Sequence, residues 1–340
     1  MTAGAFTYSG GKVEPGESST IRYRISETYL GDPVKIPVSI VNGANPGPTL
    51  FMTAAAHGDE LNGIEVVREV ALDWDHSKLH GTLILLPVLN VPAFLAQQRY
   101  LPIYDRDLNR SFPGDQESTS AKRMAHTIFT NFIEPADLGL DFHTSTRGRT
   151  NMLHARGDLA REDVFRLAHA FGSHVIIDTE GSEGTLRREA TDSGAPTITV
   201  EMGEAHRFQR ELIDRALEGV ASVLAEFEMW PDEPVHWPGW RATITAEEKT
   251  WLRAESGGIV EMHAERGDLV AAGETIATIT NPFKTERTTV ESPWTGLLVG
   301  VLENPVVYPG NPLCHLVEVD EATQAVIEQG VADTHAADEE

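Results

Sequence analysis

The chain has 340 residues, 41% of them hydrophobic, which is enough for a full buried core and for two domains. Its one cysteine, Cys314, excludes an intramolecular disulfide and any multi-cysteine metal site, and fits a reducing compartment. Lys plus Arg number 27 against 52 Asp plus Glu, and the net charge of −25 repels nucleic acid and anionic membrane surfaces.

Met1 to Val13 shows no basic segment followed by an apolar stretch, and no run approaches the ~18 apolar residues of a membrane span, so a cytoplasmic protein with no membrane partner is expected. Heavy acid with only six lysines (12, 35, 78, 122, 249 and 284) is a composition expected of proteins that work in concentrated salt, where dense surface charge is screened.

In chain order, Ile36 to Val41 reads as a strand, and Thr49 to Ala56 is an apolar run suited to a buried parallel strand. Leu61 to Trp74 places Leu61, Ile64, Val67, Ala71 and Trp74 at helical spacing. His57-Gly-Asp-Glu60 therefore occupies a strand-to-helix turn, where open α/β sheets bind ligands. Thr82 to Val88 reads as the next strand. Ser118 to Phe132 is helical, with Ala121, Met124, Ala125, Ile128, Phe129 and Phe132 on one face. The strand Leu138 to Phe142 ends at His143, so a parallel neighbour can bring that histidine to the edge that holds His57. A helix over Leu159 to Phe171, strands over His174 to Ile177 and Thr197 to Val200, and a helix over Glu204 to Phe227 follow. The alternation predicts an α/β fold with a mostly parallel central sheet flanked by helices.

The closely spaced prolines of Trp230 to Gly239 end the helical pattern. Beyond them short strands alternate with glycine turns, as in a small all-β unit. The expected division is an α/β domain over 1–230, a β domain over 240–320, and a tail over 321–340 that forms a short helix with a frayed acidic end.

Zinc takes imidazole nitrogen and carboxylate oxygen, and a catalytic zinc keeps three protein ligands and one open position. His57, Glu60 and His143 supply such a set. Asn109-Arg110 puts an amide beside a guanidinium, a pair able to clamp a carboxylate bidentately, although an Asn-Arg pair alone is commonplace. Arg99 and Arg106 offer cations that can polarise a carbonyl. Glu201 ends the apolar run Thr197-Ile-Thr-Val, where it can act on water at a metal. Read blandly, Glu201 is a solvated strand end and Arg99 a surface ion pair. The histidines at 76, 80, 126, 154, 169, 174 and 206 read as surface or packing residues.

His57-Gly-Asp-Glu60, Asp107-Leu-Asn-Arg110, Asp141-Phe-His-Thr144 and Val200-Glu-Met-Gly-Glu204, in that order, resemble the succinylglutamate desuccinylase/aspartoacylase family, a branch of the zinc carboxypeptidase-like enzymes. The resemblance spans about residues 30 to 320. It implies one zinc per chain held by His57, Glu60 and His143, Glu201 as general base, and Asn109 and Arg110 as the clamp on a substrate carboxylate. It makes Arg99 the carbonyl-polarising residue, with Arg106 the alternative, and sets Arg147 and Arg149 near the pocket. The implied reaction is hydrolysis of a small-molecule N-acyl amino acid, and the layout is similar to the N-acetyl-diaminobutyrate deacetylases. A metallocarboxypeptidase would use the same ligands with an open groove, and a non-enzymatic carrier would rest on the β domain alone. Homo-oligomerisation stays open.

Gly257 to Met262, Arg266 to Ile279, Glu291 to Val299 and Val307 to Leu313 resemble a biotinyl/lipoyl-type half-barrel. A carrier needs a modified lysine at the hairpin tip, but Thr280-Asn-Pro-Phe-Lys284-Thr-Glu286 lacks the usual flanking residues, so Lys284 reads as an ordinary surface lysine. In the family this domain is expected to cover the mouth of the active site.

Overall fold

The structure is a computed structural model that describes residues 4–102, 104–230, 244–246, 248–283, 285–321, 323–325 and 327–328. A hairpin of β1 (Phe6–Tyr8) and β2 (Gly11–Val13) precedes β3 (Glu17–Glu27) and β4 (Pro33–Asn42). Then β5 (Asn45–Ala54) leads into α1 (Asn62–Leu72), and β6 (His80–Leu86) into the short α2 (Val91–Leu95). After α3 (Ser120–Ile128) come β7 (Leu138–Ser145), β8 (Arg149–Gly157), α4 (Glu162–Phe171) and β9 (Val175–Asp178). The helical part closes with α5 (Leu186–Asp192), β10 (Thr197–Glu204) and α6 (Arg210–Glu226). From residue 244 to 318 the described elements are strands: β11 (Ile244–Ala246), β12 (Lys249–Arg253), β13 (Gly258–Met262), β14 (Leu269–Val270), β15 (Thr275–Thr280), β16 (Arg287–Glu291), β17 (Gly296–Leu302), β18 (Val306–Val307) and β19 (Pro312–Glu318).

The main sheet runs β12-β19-β17-β8-β10-β7-β5-β6-β4-β3. Its centre, β10-β7-β5-β6, is parallel throughout, as is the branch β8-β9-β11; β8 is antiparallel to β10, and β4 to β6. The sheet is therefore mixed, which corrects the expectation of a mostly parallel one. Two of the strands that change its character are hidden in the sequence. β3 is a polar edge strand, and β8, Arg-Thr-Asn-Met-Leu-His-Ala-Arg-Gly, carries polar side chains inside the sheet, so neither shows an apolar run.

Alternation along the central strands divides the interior in two. Leu50, Met52 and Ala54 face one core with Leu83, Leu85, Leu138 and Leu140, covered by Val66, Val67 and Val70 of α1 and by α4 and α6. Phe51, Ile84 and Leu86 face the other core, closed by Ala121, Met124, Ala125 and Ile128 of α3. A central strand buried on both faces is apolar on both, and Leu50 to Ala56 is so except at Thr53, whose hydroxyl is hydrogen-bonded to Asp141. The helix expected from Glu204 starts at Arg210, because β10 extends through Glu204 and His206 adopts a positive φ of 63°. The helix expected to reach Phe132 ends as α-helix at Ile128 and widens into a π turn over Phe129–Ile133.

The strands after residue 243 do not stand apart from the main sheet. β17 pairs with β8, and β11 pairs with β9, while β16-β15-β13-β18 form a separate four-stranded sheet. The linker expected at 231–239, Lys284 and most of the tail, 329–340, lie outside the described residues; backbone at 321, 323–325 and 327–328 is helical. Among the described residues no helix is long and apolar enough to cross a membrane.

Candidate metal centre

His57 follows β5 directly, after Ala55 in a left-handed conformation (φ 49°) that turns the chain out of the sheet. Gly58 then lies against the backbone of α2: a Cβ there would stand 2.1 Å from the Ala93 carbonyl carbon, so this close approach needs glycine. The turn delivers Glu60 just ahead of α1. His143 comes from β7, the strand beside β5, and the parallel pairing carries it to the same edge.

The three side chains converge. Their ligand atoms lie within 4.8 Å of one another and all three residues are buried. His57 Nδ1 is 2.8 Å from Glu60 Oε1, and His143 Nδ1 is 2.9 Å from Glu60 Oε2. His57 Nδ1 is buried yet makes no hydrogen bond despite that short contact, so two electron-rich atoms aim at a common point. An orphaned imidazole nitrogen beside a carboxylate and a second imidazole is the donor set that zinc takes, and the residues fit the ion.

The opposite ring nitrogens are also held. His143 Nε2 is 2.9 Å from Asp141 Oδ2 and 3.3 Å from Asn109 Nδ2, and His57 Nε2 is 3.3 Å from Asp107 Oδ1. Thr53 donates to Asp141 Oδ1 at 2.8 Å. Carboxylates behind ligating histidines fix ring orientation, and here both are aspartates, Asp107 of Asp107-Leu-Asn-Arg110 and Asp141 of Asp141-Phe-His-Thr144. Burial opposes the ionisation of Glu60, but His57 and His143 overcome it and hold the carboxylate well below its usual range.

A cavity of about 230 Å³ opens from these ligands, lined also by Arg99, Asn109, Arg110, Thr144, Arg156, Thr179, Arg187 and Glu201. Arg99 reaches the centre itself, donating to Glu60 Oε1 at 2.6 Å. Asn109 is buried, and its Oδ1 accepts from the Leu186 amide at 2.8 Å, while exposed Arg110 caps the Asn109 carbonyl at 2.6 Å. Glu201 sits beside His143, since the two are paired residues of the parallel strands β10 and β7. Arg106 is not part of this group: it is exposed and lines a different, apolar cavity with Leu101, Tyr104 and Met124. Arg147 is exposed, and Arg149 lies 5.1 Å over the Trp251 ring rather than along the cavity wall. Among the described residues lining the cavity none follows Glu201, and the β strands beyond residue 243 meet β8 through its pairing with β17.

Among the cavity residues outside the motifs are Arg156, Thr179 and Arg187. Arg156 lies in β8, Arg187 in α5 and Thr179 after β9, none of them in a motif with a spacing to read. Arg187 is 6% exposed, and burial, with Arg156 nearby, pushes its pKa down to about 10; its NH1 donates to the Thr179 carbonyl at 2.6 Å.

Comparison with known proteins agrees with the geometry. Residues 46–227 match the model of the succinylglutamate desuccinylase/aspartoacylase catalytic domain. The chain is 28% identical over 263 residues to N-alpha-acetyl-L-2,4-diaminobutyric acid deacetylase of Halomonas elongata, covering 72% of this chain and 74% of that protein. It is 27% identical over 228 residues to succinylglutamate desuccinylase of Burkholderia orbicola, covering 62% of this chain and 66% of that one. The fold is shared with the product-bound ectoine utilization protein EutE (DoeB) of Ruegeria pomeroyi, at TM-score 0.81 and 21% identity over 94% of this chain and all of that one. A Rhodobacter sphaeroides succinylglutamate desuccinylase/aspartoacylase superposes at TM-score 0.78 and 23% identity, covering 89% of this chain and 96% of that one. With the family match spanning the His57–Glu60 turn, the central strands and Glu201, the chain belongs to the succinylglutamate desuccinylase/aspartoacylase family of deacylases.

Proposed function

We propose that this chain is a zinc-dependent hydrolase that cleaves the amide bond of a small N-acyl amino acid. The observation that carries the reading is the buried convergence of His57, Glu60 and His143 at the head of a cavity that Glu201 also lines. One zinc per chain, held by those three residues, would supply Lewis acidity and make water available as a nucleophile near neutral pH.

Each remaining role falls to a residue of the cavity. Glu201 takes the proton from the attacking water and returns it to the departing amine. Arg99, already directed at the ligand cluster, stabilises negative charge on the amide oxygen, a contact whose loss typically costs ~3 kcal/mol of barrier. Asn109 and Arg110 bind the substrate carboxylate, Asn109 being fixed by its bond to the Leu186 amide. Arg106, exposed and outside the cavity, has no part in this scheme.

The cavity volume, about 230 Å³, favours a small substrate over a peptide laid in a groove. The Halomonas elongata relative favours N-acetyl-2,4-diaminobutyrate as the particular substrate. We assign residues 1–230 to the deacylase domain and 240–320 to a biotinyl/lipoyl-like β domain that braces β8. A panel of N-acetyl and N-succinyl amino acids, N-acetyl-diamino acids and a blocked dipeptide, assayed with zinc, tests the reading. Turnover of an N-acyl amino acid is expected; turnover of the dipeptide alone would make the chain a carboxypeptidase.

A further inference from the structure

Behind Glu201, β8 presents a connected set of polar side chains. Asn151 Nδ2 donates to Glu201 Oε2 at 3.1 Å, and Arg156 Nε lies 3.7 Å from Glu201 Oε1. Arg156 is itself anchored, because its Nε–H donates to His154 Nε2 at 3.2 Å. His154 Nδ1 in turn lies 3.0 Å from the Met152 carbonyl oxygen. A carbonyl only accepts, so Nδ1 carries the imidazole proton and Nε2 keeps the lone pair that receives Arg156. Burial, with Arg156 adjacent, pushes the His154 pKa well below its ordinary value and keeps the ring in that neutral form.

Strand pairing explains how Asn151 and Arg156, five residues apart, reach one carboxylate. Glu201 pairs with His154 and Gly203 with Asn151, so β8 holds an extra residue between the two positions. In a regular strand residues 151 and 156 would face opposite sides; the irregularity turns Asn151 toward Glu201. The strands after residue 243 then fix Asn151 from behind. Gly300 pairs with it, a Cβ at Gly300 would stand 2.5 Å from Asn151 Oδ1, and Arg266 NH1 donates to the Asn151 carbonyl at 3.0 Å.

We propose that Asn151 and Arg156 are positioning residues that hold Glu201 for proton transfer, Asn151 braced by Gly300 and Arg156 by His154. The inference rests on the reading of Glu201 as general base. Proton transfer needs a heavy-atom approach of about 2.6–3.2 Å, and a carboxylate hydrogen-bonded by Asn151 at one oxygen and faced by the Arg156 charge at the other keeps one orientation where a free one would sample several. It also gives the β strands after residue 243 a task in catalysis although they do not line the cavity.

The test measures kcat, KM and zinc content for Asn151→Ala and Arg156→Met, each in wild type and in Glu201→Gln. A kcat about 10- to 100-fold lower is expected for each, with KM within about threefold, zinc unchanged and partial recovery in Arg156→Lys. Neither substitution should add to the loss in Glu201→Gln. Additive losses, or a raised KM with kcat intact, would overturn the inference, the latter by making Arg156 a substrate contact. Gly300→Ala, remote from the cavity, carries the same test should either variant fail to fold, and unchanged kcat there would overturn the bracing. If Glu201→Gln retained wild-type kcat, the general-base reading would fail and this inference with it. An inactive Glu201→Gln beside fully active Asn151→Ala and Arg156→Met would sink the positioning role alone.

Discussion

Asp141 Oδ2 lies 2.9 Å from His143 Nε2, two residues along the same strand, and Asp141 is in turn fixed by a 2.8 Å bond from Thr53 on the neighbouring strand. The far nitrogen of the ring, Nδ1, is thereby aimed at Glu60. Asp141→Asn keeps the shape but removes the charge that makes the imidazole a strong donor. Zinc affinity is expected to fall about 10- to 100-fold, read by chelator competition. Wild-type affinity in that variant would mean that Asp141 serves only packing.

Gly139 sits on β7 where a Cβ would stand 2.0 Å from the Phe51 ring. Gly139→Ala overpacks a rigid strand contact in the core that supports the metal edge, and is expected to destabilise by about 1–3 kcal/mol in a denaturant titration. Adding Phe51→Leu should relieve part of that loss, since it withdraws the obstructing ring.

His315 is buried on β19 and stacks on Trp251 with ring centroids 4.6 Å apart. Burial, with Arg156 and Lys249 contributing, pushes its pKa down to about 3. The unfolded chain takes up this proton near pH 6.5 and the folded chain does not, so stability is intact above about 6.5 and is lost as the pH falls toward about 3. His315→Phe preserves the stack and removes the proton. Its unfolding equilibrium should worsen about tenfold less per pH unit across that window than the wild type's. Parallel losses in the two proteins would contradict the assignment.

A net charge of −25 implies self-repulsion that added salt screens. Melting temperature is expected to rise with KCl over the molar range. A flat or falling response would remove the case for a protein adapted to concentrated salt.

How much of the site is legible in the chain depends on the period of each element. His57 and Glu60 share one turn between an apolar strand and an amphipathic helix, and His143 ends another apolar run, so local pattern exposes all three. Glu201 follows for the same reason. Asn151 and Arg156 stay hidden because β8 is polar inside the sheet and antiparallel to its neighbour; only the strand order and an irregular register bring them to Glu201. Arg187 is hidden in a seven-residue helix too short to show periodicity. Arg106, equal to Arg99 in sequence, is separated from it by a turn in which Tyr104 and Asp105 take positive φ, which leaves Arg106 outside the cavity.

The central claim is that His57, Glu60 and His143 hold a zinc beside which Glu201 acts as the base. Zinc content and kcat measured side by side for wild type, His143→Ala and Glu201→Gln test it most directly. His143→Ala should lose both metal and turnover, whereas Glu201→Gln should keep one zinc per chain and lose most of kcat, typically 10²- to 10⁴-fold for a general base. A Glu201→Gln enzyme turning over at the wild-type rate, or a metal-free His143→Ala enzyme that remains active, would contradict the account.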